Sequence, residues 1–371
     1  MRKRRVAVID VGSSKITALS VNYNKDGSFT TGLLVDEQYG GFSEGEFFDE
    51  NEFEDAVRRA FKEIKANSKF KFSEIIVGVP NAFIKLQRKR FKIDFQKVKK
   101  ITNKDVKKLI ETGENKSEFG GYELVDELAI SFGVNGKKVF DPIGFHASEL
   151  GGFISYIFAR NSFLQSVRIA LIKEKSAVIR FVSSDYAVGK YFLGDKLKTE
   201  PVIIADIGYI SSSFSLLYGG GIVDAVSVDA GGGFITADLM KRYSIDLSDA
   251  ETLKRSINLG LKDGITGNYK IQTDTGVMEF PISEINGGAK EVIDEAVGAL
   301  DDFIDNNKAK FQGEIKVYLV GGGISRIRGA VQHVSARIST DVEILKPDLP
   351  SYDRPERSSA IALAGYAIGE K

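Results

Sequence analysis

The sequence predicts an α/β protein of two duplicated lobes that face one shared pocket, and three phrases carry that reading. The first is Val6-Ala7-Val8-Ile9-Asp10-Val11-Gly12-Ser13-Ser14-Lys15. Its near copy is Val202-Ile203-Ile204-Ala205-Asp206-Ile207-Gly208-Tyr209-Ile210-Ser211-Ser212-Ser213. The third is Val317-Tyr318-Leu319-Val320-Gly321-Gly322-Gly323-Ile324. Each is an apolar run of strand length that stops at glycine, and in the first two hydroxyl residues follow. The repeat works at the level of whole lobes, as in a duplicated α/β domain, and no short solenoid period is visible.

Along the chain, strands are expected at Val6–Asp10, Ile16–Asn22 and Thr30–Asp36, with a turn over 24–27. A helix is expected over Glu52–Ala66, where Phe53, Val57, Ala60, Phe61 and Ile64 share one side. Ile75–Val79 reads as a buried strand. The texture then changes. Arg90-Phe91-Lys92-Ile93-Asp94-Phe95 alternates as a half-solvated strand does, and Thr102 opens a helix that ends near Gly113. Strands follow over Tyr122–Phe132, Lys137–Val139 and Gly152–Phe158. A helix from Ser162 to about Lys173 and strands to about Leu193 close the first half. In the second half, strands over Ile203–Tyr218 and Gly221–Val228 lead through Gly231-Gly232-Gly233 into a helix over Phe234–Tyr243. A helix at Asp249–Leu259, a hairpin at Tyr269–Pro281, a helix starting after Gly288, the strand Ile315–Val320, a helix after the third glycine phrase, the strand Val342–Leu345 and a last helix over Ser358–Ile368 complete the pattern. The expected division is 1–83 and 159–200 for the first lobe, 84–158 for an inserted α+β module, 201–240 and 291–371 for the second lobe, and 241–290 for a smaller cap.

At 371 residues the chain has room for two full cores, and 43% hydrophobic with 27% charged residues is ordinary for a soluble protein. Lys+Arg 51 balances Asp+Glu 51, so no global charge pulls toward nucleic acid or membrane. Cysteine is absent, and only His146 and His333 are present, which argues against disulfides, thiolate metal sites, His-rich metal sites and a Ser-His hydrolase. The basic start at Arg2–Arg5 precedes an apolar stretch too short for a signal peptide or membrane span, so a cytoplasmic protein is expected.

Glycine in a tight hairpin lets backbone N–H groups approach an anion, and small hydroxyls add donors without filling space. Gly12, Ser13, Ser14 and Lys15 fit that role in one lobe, and Gly208 and Ser211 in the other. Asp10 and Asp206 suit a hydrated Mg²⁺, which binds few carboxylates and keeps its waters. Two such hairpins would grip a triphosphate from both sides. Gly321, Gly322, Gly323 and Ile324 would lie against a base and ribose, with a helix N-terminus favouring anions. Gly232 and Gly233 would aim a second helix dipole at the phosphates, and Glu251 and Lys254, one turn apart, would reach ribose hydroxyls. The alternative for each is plain: turn residues for the aspartates and glycines, and an exposed ion pair for Glu251 and Lys254. Between Lys85 and Lys108 stand eleven Lys or Arg and only two acids, Asp94 and Asp105. A solvated face is the ordinary reading of such a run, and a site for anionic lipid or an acidic partner is the other. Nucleic acid is not expected, since Phe91 and Phe95 are the only interleaved rings.

Taken in order, these motifs resemble the actin, Hsp70 and sugar-kinase ATPase superfamily, and within it the bacterial cell-division family FtsA. Asp10–Ile16 is similar to that family's first phosphate loop. Ser73–Val79 matches the strand before its inserted subdomain, of SHS2 type. Ile101–Val106 and Asp141–Gly144 match phrases inside the insertion, and Val228–Leu239 resembles its Gly-Gly, Thr, Asp connecting segment. The resemblance implies two RNase H-like lobes of the actin-like ATPase fold, with ATP and Mg²⁺ between them. It also implies self-association into dimers or filaments through the insertion, and a division partner such as FtsZ at the inner face of the membrane.

Three departures follow. Where the family reads Asp-Ile-Gly-Gly-Gly-Thr-Thr-Asp, this chain has Tyr209 and Ile210 for two glycines and Ser213 for the last Asp. Bulk there restricts backbone freedom and crowds a phosphate, so weak or absent hydrolysis is expected. The chain stops at Gly369-Glu370-Lys371, so a C-terminal amphipathic anchor is not expected in it, while membrane association stays open. Ala296 stands where the family carries an Arg suited to an acidic FtsZ tail. Two rival readings share the fold: a pseudo-ATPase adaptor that docks a peptide, similar to PilM, and a small-molecule kinase, which would need a general base the sequence does not display.

Overall fold

The first lobe grows from an antiparallel meander: β1 (Arg5–Val11), β2 (Lys15–Tyr23) and β3 (Phe29–Gln38). These coordinates are a computed structural model. They describe the chain apart from residues 1–3, 25, 69–70, 113–118, 175–176, 263, 275, 312–313 and 367–371. The expected ends of the helix near Gly113 and of the last helix at Ile368 lie outside the described residues, as does one residue of the 24–27 turn. After a two-residue pair, β4 (Phe42–Ser43) and β5 (Glu46–Phe47), comes α1 (Glu50–Ala66). Its N-cap Asp49 accepts from the amides of Asn51 and Glu52, a contribution of about 1 kcal/mol. Phe53, Val57, Ala60, Phe61 and Ile64 are buried against the sheet as their spacing demands. β6 (Glu74–Val79) then pairs parallel with β1.

A short 3₁₀ turn (Asn81–Phe83) leads into the second body. It contains β7 (Ile84–Lys100), α2 (Asn103–Thr112), β8 (Tyr122–Val134), β9 (Lys137–Val139) and β10 (His146–Arg160). Its own four-stranded sheet runs β7-β10-β8-β9. The basic run thus occupies an edge strand, where alternating lysines keep the open edge solvated. The chain returns through α3 (Asn161–Ala170) and β11 (Val178–Ser183), which completes a first-lobe sheet ordered β11-β6-β1-β2-β3.

Strand structure does not continue to Leu193 as the sequence suggested. Ser184–Leu193 is a helix, α4, whose N-cap Ser183 accepts from the Tyr186 amide. Its Tyr, Val and Phe content reads as strand, but the helix is buried on most sides, so packing overrides propensity. A single turn, α5 (Lys196–Thr199), reaches the second lobe.

That lobe repeats the first. β12 (Val202–Ile207), β13 (Ser212–Tyr218) and β14 (Gly221–Val228) form the meander. Then follow α6 (Gly233–Tyr243), α7 (Leu247–Ser256), the hairpin β15 (Asn268–Thr273) and β16 (Gly276–Pro281), α8 (Ile282–Lys308), β17 (Lys316–Val320), α9 (Ala330–Ile338), β18 (Val342–Ile344) and α10 (Ser358–Tyr366). The sheet order β14-β13-β12-β17-β18 has the same pattern of antiparallel and parallel pairs as the first lobe. Even the register matches: Asp10 faces Thr17 across β1–β2, and Asp206 faces Ser213 across β12–β13. α8 begins at Ile282 and runs through Gly287 and Gly288 rather than starting after them, because Ile285, Asn286 and Ala289 are already buried on one face.

Between the two sheets lie α4 and α10. They share one core with Val6, Val8 and Leu19 from one lobe and Val202, Ile204 and Leu217 from the other. A second tie joins the inserted body to the second lobe. The β13–β14 turn at Gly219, Gly220 and Gly221 lies backbone to backbone on Ile130, Ala129 and Leu128 of β8. Gly219 has φ +64°, and a Cβ there would overlap the Ile130 carbonyl. Gly219→Ala should therefore destabilise the chain by about 2–4 kcal/mol in urea melts. Gly136→Ala, at φ +74° with open space around it, should cost only about 1 kcal/mol. Equal losses at both sites would mean the tie carries no packing energy.

Candidate functional site

The two meanders end in the same turn. Gly12 N–H donates to the Lys15 carbonyl at 3.0 Å, and Gly208 N–H to the Ser211 carbonyl at 3.1 Å. The hairpins face each other and touch: Ser13 Oγ accepts from the amides of Ile210 at 3.0 Å and Ser211 at 3.4 Å. Around them opens an interlobe cleft of about 900 Å³. Asp10 and Asp206 both line it, as do Gly12, Ser14, Lys15, Gly208 and Ser211. Glu251, Lys254 and Gly321–Gly323 form another part of its wall.

Three carboxylates crowd this cleft. Burial pushes Asp10 up to about 6, against a hydrogen bond from Ser359 at 2.7 Å. Burial, then the charges of Asp185 and Asp10, push Asp206 up to about 8. Burial also lifts Asp185 to about 6, although its Oδ2 accepts from Asn81 at 2.8 Å, Ser213 at 3.0 Å and Ser215 at 2.8 Å. No hydrogen-bond donor serves Asp206 among the described residues. The set is one that a cation would relieve. Among the described residues, no three His, Cys, Asp or Glu side chains converge on a metal position, so an ion here would complete its shell from water and ligand oxygens, as Mg²⁺ does.

Several expected roles are changed. Lys15 faces Asp36 at 3.3 Å, and Arg357 grips the same carboxylate at 2.7 and 2.8 Å. Burial opposes the charge on Asp36, but Arg357, Lys15 and Thr17 together hold it at about 2. Lys15 is therefore committed to an acid. Ile324 does not line the cleft; it is buried in the second-lobe core. The loop after β17 is not followed by a helix start, because α9 begins only at Ala330, so no helix dipole backs Gly321–Gly323. These glycines serve close backbone packing: a Cβ on Gly321 would overlap the Asp206 carboxylate, and one on Gly323 the Gly208 carbonyl. Gly232 and Gly233 likewise stand outside the cleft lining. Their amides donate to the carbonyls of Gly208 and Tyr209, so the α6 N-terminus is already used.

Glu251 and Lys254 are not an exposed pair. Lys254 is 6% exposed, lies 2.6 Å from Glu251, donates to Thr236 at 2.9 Å and sits 4.9 Å from the centre of the Tyr209 ring. Tyr209 thus packs over the wall expected to hold ribose. Ile210 lies against Gly41 of the first lobe, where a Cβ would overlap it. Ala296 is buried on α8 and offers no surface contact.

Asp185, Asn81, Asp36, Arg357 and Ser359 also belong to the site and were not anticipated from the sequence. Asp185 had a usable signal: Ser183-Ser184-Asp185 is an N-cap phrase after a strand. Asn81 and Ser359 had none, since only the fold brings them to the cleft.

Residues 56–158 match the family model described as the SHS2 domain inserted in FtsA. Cell division protein FtsA of Neisseria meningitidis serogroup B is 22% identical over 254 residues, 68% of this chain and 61% of that protein. The FtsA of Enterococcus faecalis is 19% identical over 97% of this chain and 82% of its own length. The chain carries an SHS2 domain of the FtsA type and is similar, at low identity, to FtsA proteins. The matches to the first relatives span about three fifths of their length. Among solved structures, the PilM-PilN type IV pilus biogenesis complex superposes with a TM-score of 0.65 at 16% identity, covering 99% of both chains. MreB5 of Spiroplasma citri bound to AMPPNP gives 0.56 at 12% identity, covering 100% of this chain and 97% of that one. These likenesses establish the actin-like ATPase fold with an FtsA-type insertion. No helix among the described residues is long and apolar enough to cross a membrane.

The raised carboxyls set a pH dependence. They ionise more readily in the unfolded chain, so their share of stability is complete below the usual carboxylate range and is lost as pH rises through about 6 and then about 8. Asp206→Asn should remove the upper part of that loss. In metal-free thermal scans from pH 5 to 9, the variant should gain on the wild type as pH rises, reaching a few degrees near pH 8.5. A constant difference across the range would contradict the assignment.

Proposed function

We propose that this chain is an FtsA-type cell-division scaffold that takes ATP with Mg²⁺ between its lobes and couples nucleotide state to self-assembly and to binding of a division partner such as FtsZ. It would act in the cytoplasm and be recruited to the inner face of the membrane. The observation that carries the reading is the matched pair of hairpins, with Asp10 and Asp206 in register and facing one cleft. MreB5, which shares the fold and was solved bound to AMPPNP, supports nucleotide as the ligand.

Asp10 and Asp206 would hold the ion through its waters, and the bound ion would neutralise their crowded charge. Ser13, Ser14 and the amides of Gly208–Ser211 would meet the phosphates once the Ser13 bridge opens. Gly321–Gly323 would flank the base. Asp185, held by Asn81, Ser213 and Ser215 and lifted by burial to about 6, would orient a water. It is also the cleft carboxylate that a kinase reading lacked.

A second reading rests on Tyr209 and Ile210. Their bulk and the Ser13 bridge occupy the second loop, as a pseudo-ATPase adaptor that docks a peptide would have it. One experiment separates the two. With millimolar Mg²⁺ and ATP, the wild type should melt a few degrees higher, and Asp10→Ala with Asp206→Ala should abolish the shift. Tyr209→Gly with Ile210→Gly should tighten nucleotide binding at least tenfold. A wild type blind to ATP but restored by the glycines is the adaptor. If neither protein responds in melting or pelleting assays, the nucleotide reading is wrong.

A further inference from the structure

A second cavity, of about 420 Å³, lies on the seam between the inserted body and the second lobe. Four cationic side chains line it: Arg88 and Arg90 of β7, Lys138 of β9, and Lys310 just beyond α8. None of its lining residues is acidic among the described residues. The floor is apolar, with Ile130, Phe153, Val223 and Phe311. Four like charges around one small cavity repel one another, and among the described residues only Lys310 has a carboxylate partner. Each has a partner on the protein. Arg88 donates to the Val223 carbonyl, and Arg90 lies 4.1 Å from the centre of the Phe153 ring. Lys138 sits 4.1 Å from the centre of the Tyr218 ring and donates to its hydroxyl at 2.9 Å. Lys310 reaches Asp224 at 2.8 Å, outside the lining.

We propose that this seam binds a phosphate-bearing small molecule with a flat ring, of about mononucleotide size. Guanidinium forks and lysines suit phosphate oxygens, and the volume falls within the range of small-molecule pockets. The rings and aliphatic floor would take the flat part, in contact now made by the cations themselves. Three of the cations belong to the insertion and one to the second lobe, so a bound anion bridges the two bodies. It would do so beside the Gly219–Gly221 tie, which makes it a brace on the insertion. The site is separate from the interlobe cleft and stands whether or not nucleotide binds there.

The probe is 1-naphthyl phosphate, titrated into the full chain by calorimetry, with inorganic phosphate and phosphatidylglycerol vesicles as parallel arms. The naphthyl ester should bind at least tenfold more tightly than inorganic phosphate. Arg90→Glu with Lys138→Glu should weaken it at least tenfold while the chain keeps its melting transition. Asp10→Ala with Asp206→Ala should leave it unchanged. Should the double reversal fail to fold, Lys310→Ala, a smaller change, must still weaken binding severalfold. Vesicle binding that the ester competes away would identify a lipid headgroup as the natural source, and none would identify a free solute. The proposal is overturned by absence of ester binding, by equal affinity for inorganic phosphate, by indifference to the seam variants, or by vesicle binding that the ester does not displace.

Discussion

Ser13 ties the two facing hairpins of this molecule across their cleft. Its hydroxyl accepts the amides of Ile210 and Ser211 across the cleft, and those N–H groups are the donors that a phosphate would otherwise use. Behind that bridge stand Asp10, Asp185 and Asp206, each lifted out of the ordinary carboxylate range by burial. The cleft therefore holds three carboxyls that resist ionising together, beside a hydroxyl that bridges its two hairpins. Everything else in the lobes serves to set that geometry: two sheets of one topology, matched in register at the aspartates, with α4 and α10 packed between them.

The duplication is not symmetrical in chemistry. The first loop keeps small residues, Gly12-Ser13-Ser14, whereas the second presents Gly208-Tyr209-Ile210. Tyr209 lies over Lys254, and Ile210 crosses to Gly41. Glycines that would leave open backbone near a ligand are used instead for backbone contact, as at Gly232 and Gly323, whose added Cβ atoms would overlap neighbouring carbonyls. The second loop is thus taken up by packing, mostly within its own lobe, with Ile210 and the Ser13 bridge reaching across.

Much of the architecture was legible because local signals agreed with the fold. The apolar runs of β1, β2 and β12, the face of α1 and the paired Asp–x–Gly phrases each follow from short-range chemistry, and they placed Asp10 and Asp206 at strand ends. What escaped had a common cause, which is that tertiary contact decides it. α4 carries strand-forming residues but is enclosed between the lobes. Ile324 follows glycines that suggested an open loop, yet turns inward to the core. Lys15 lines the cleft, but its pairing with Asp36, which Arg357 also grips, joins residues too distant in sequence to be read together. The basic stretch over Lys85–Lys108 proved to be the solvated edge of a sheet along much of its length, and only Arg88 and Arg90 turn onto a cavity.

The most direct measurement is a crystal structure of the chain grown with Mg²⁺ and a non-hydrolysable ATP analogue. Triphosphate density is expected between Gly12–Ser14 and Gly208–Ser211, with an ion near Asp10 and Asp206 and with Ser13 parted from the Ile210 and Ser211 amides. An unaltered Ser13 bridge, with no density in the cleft at saturating analogue, would contradict a nucleotide clamp.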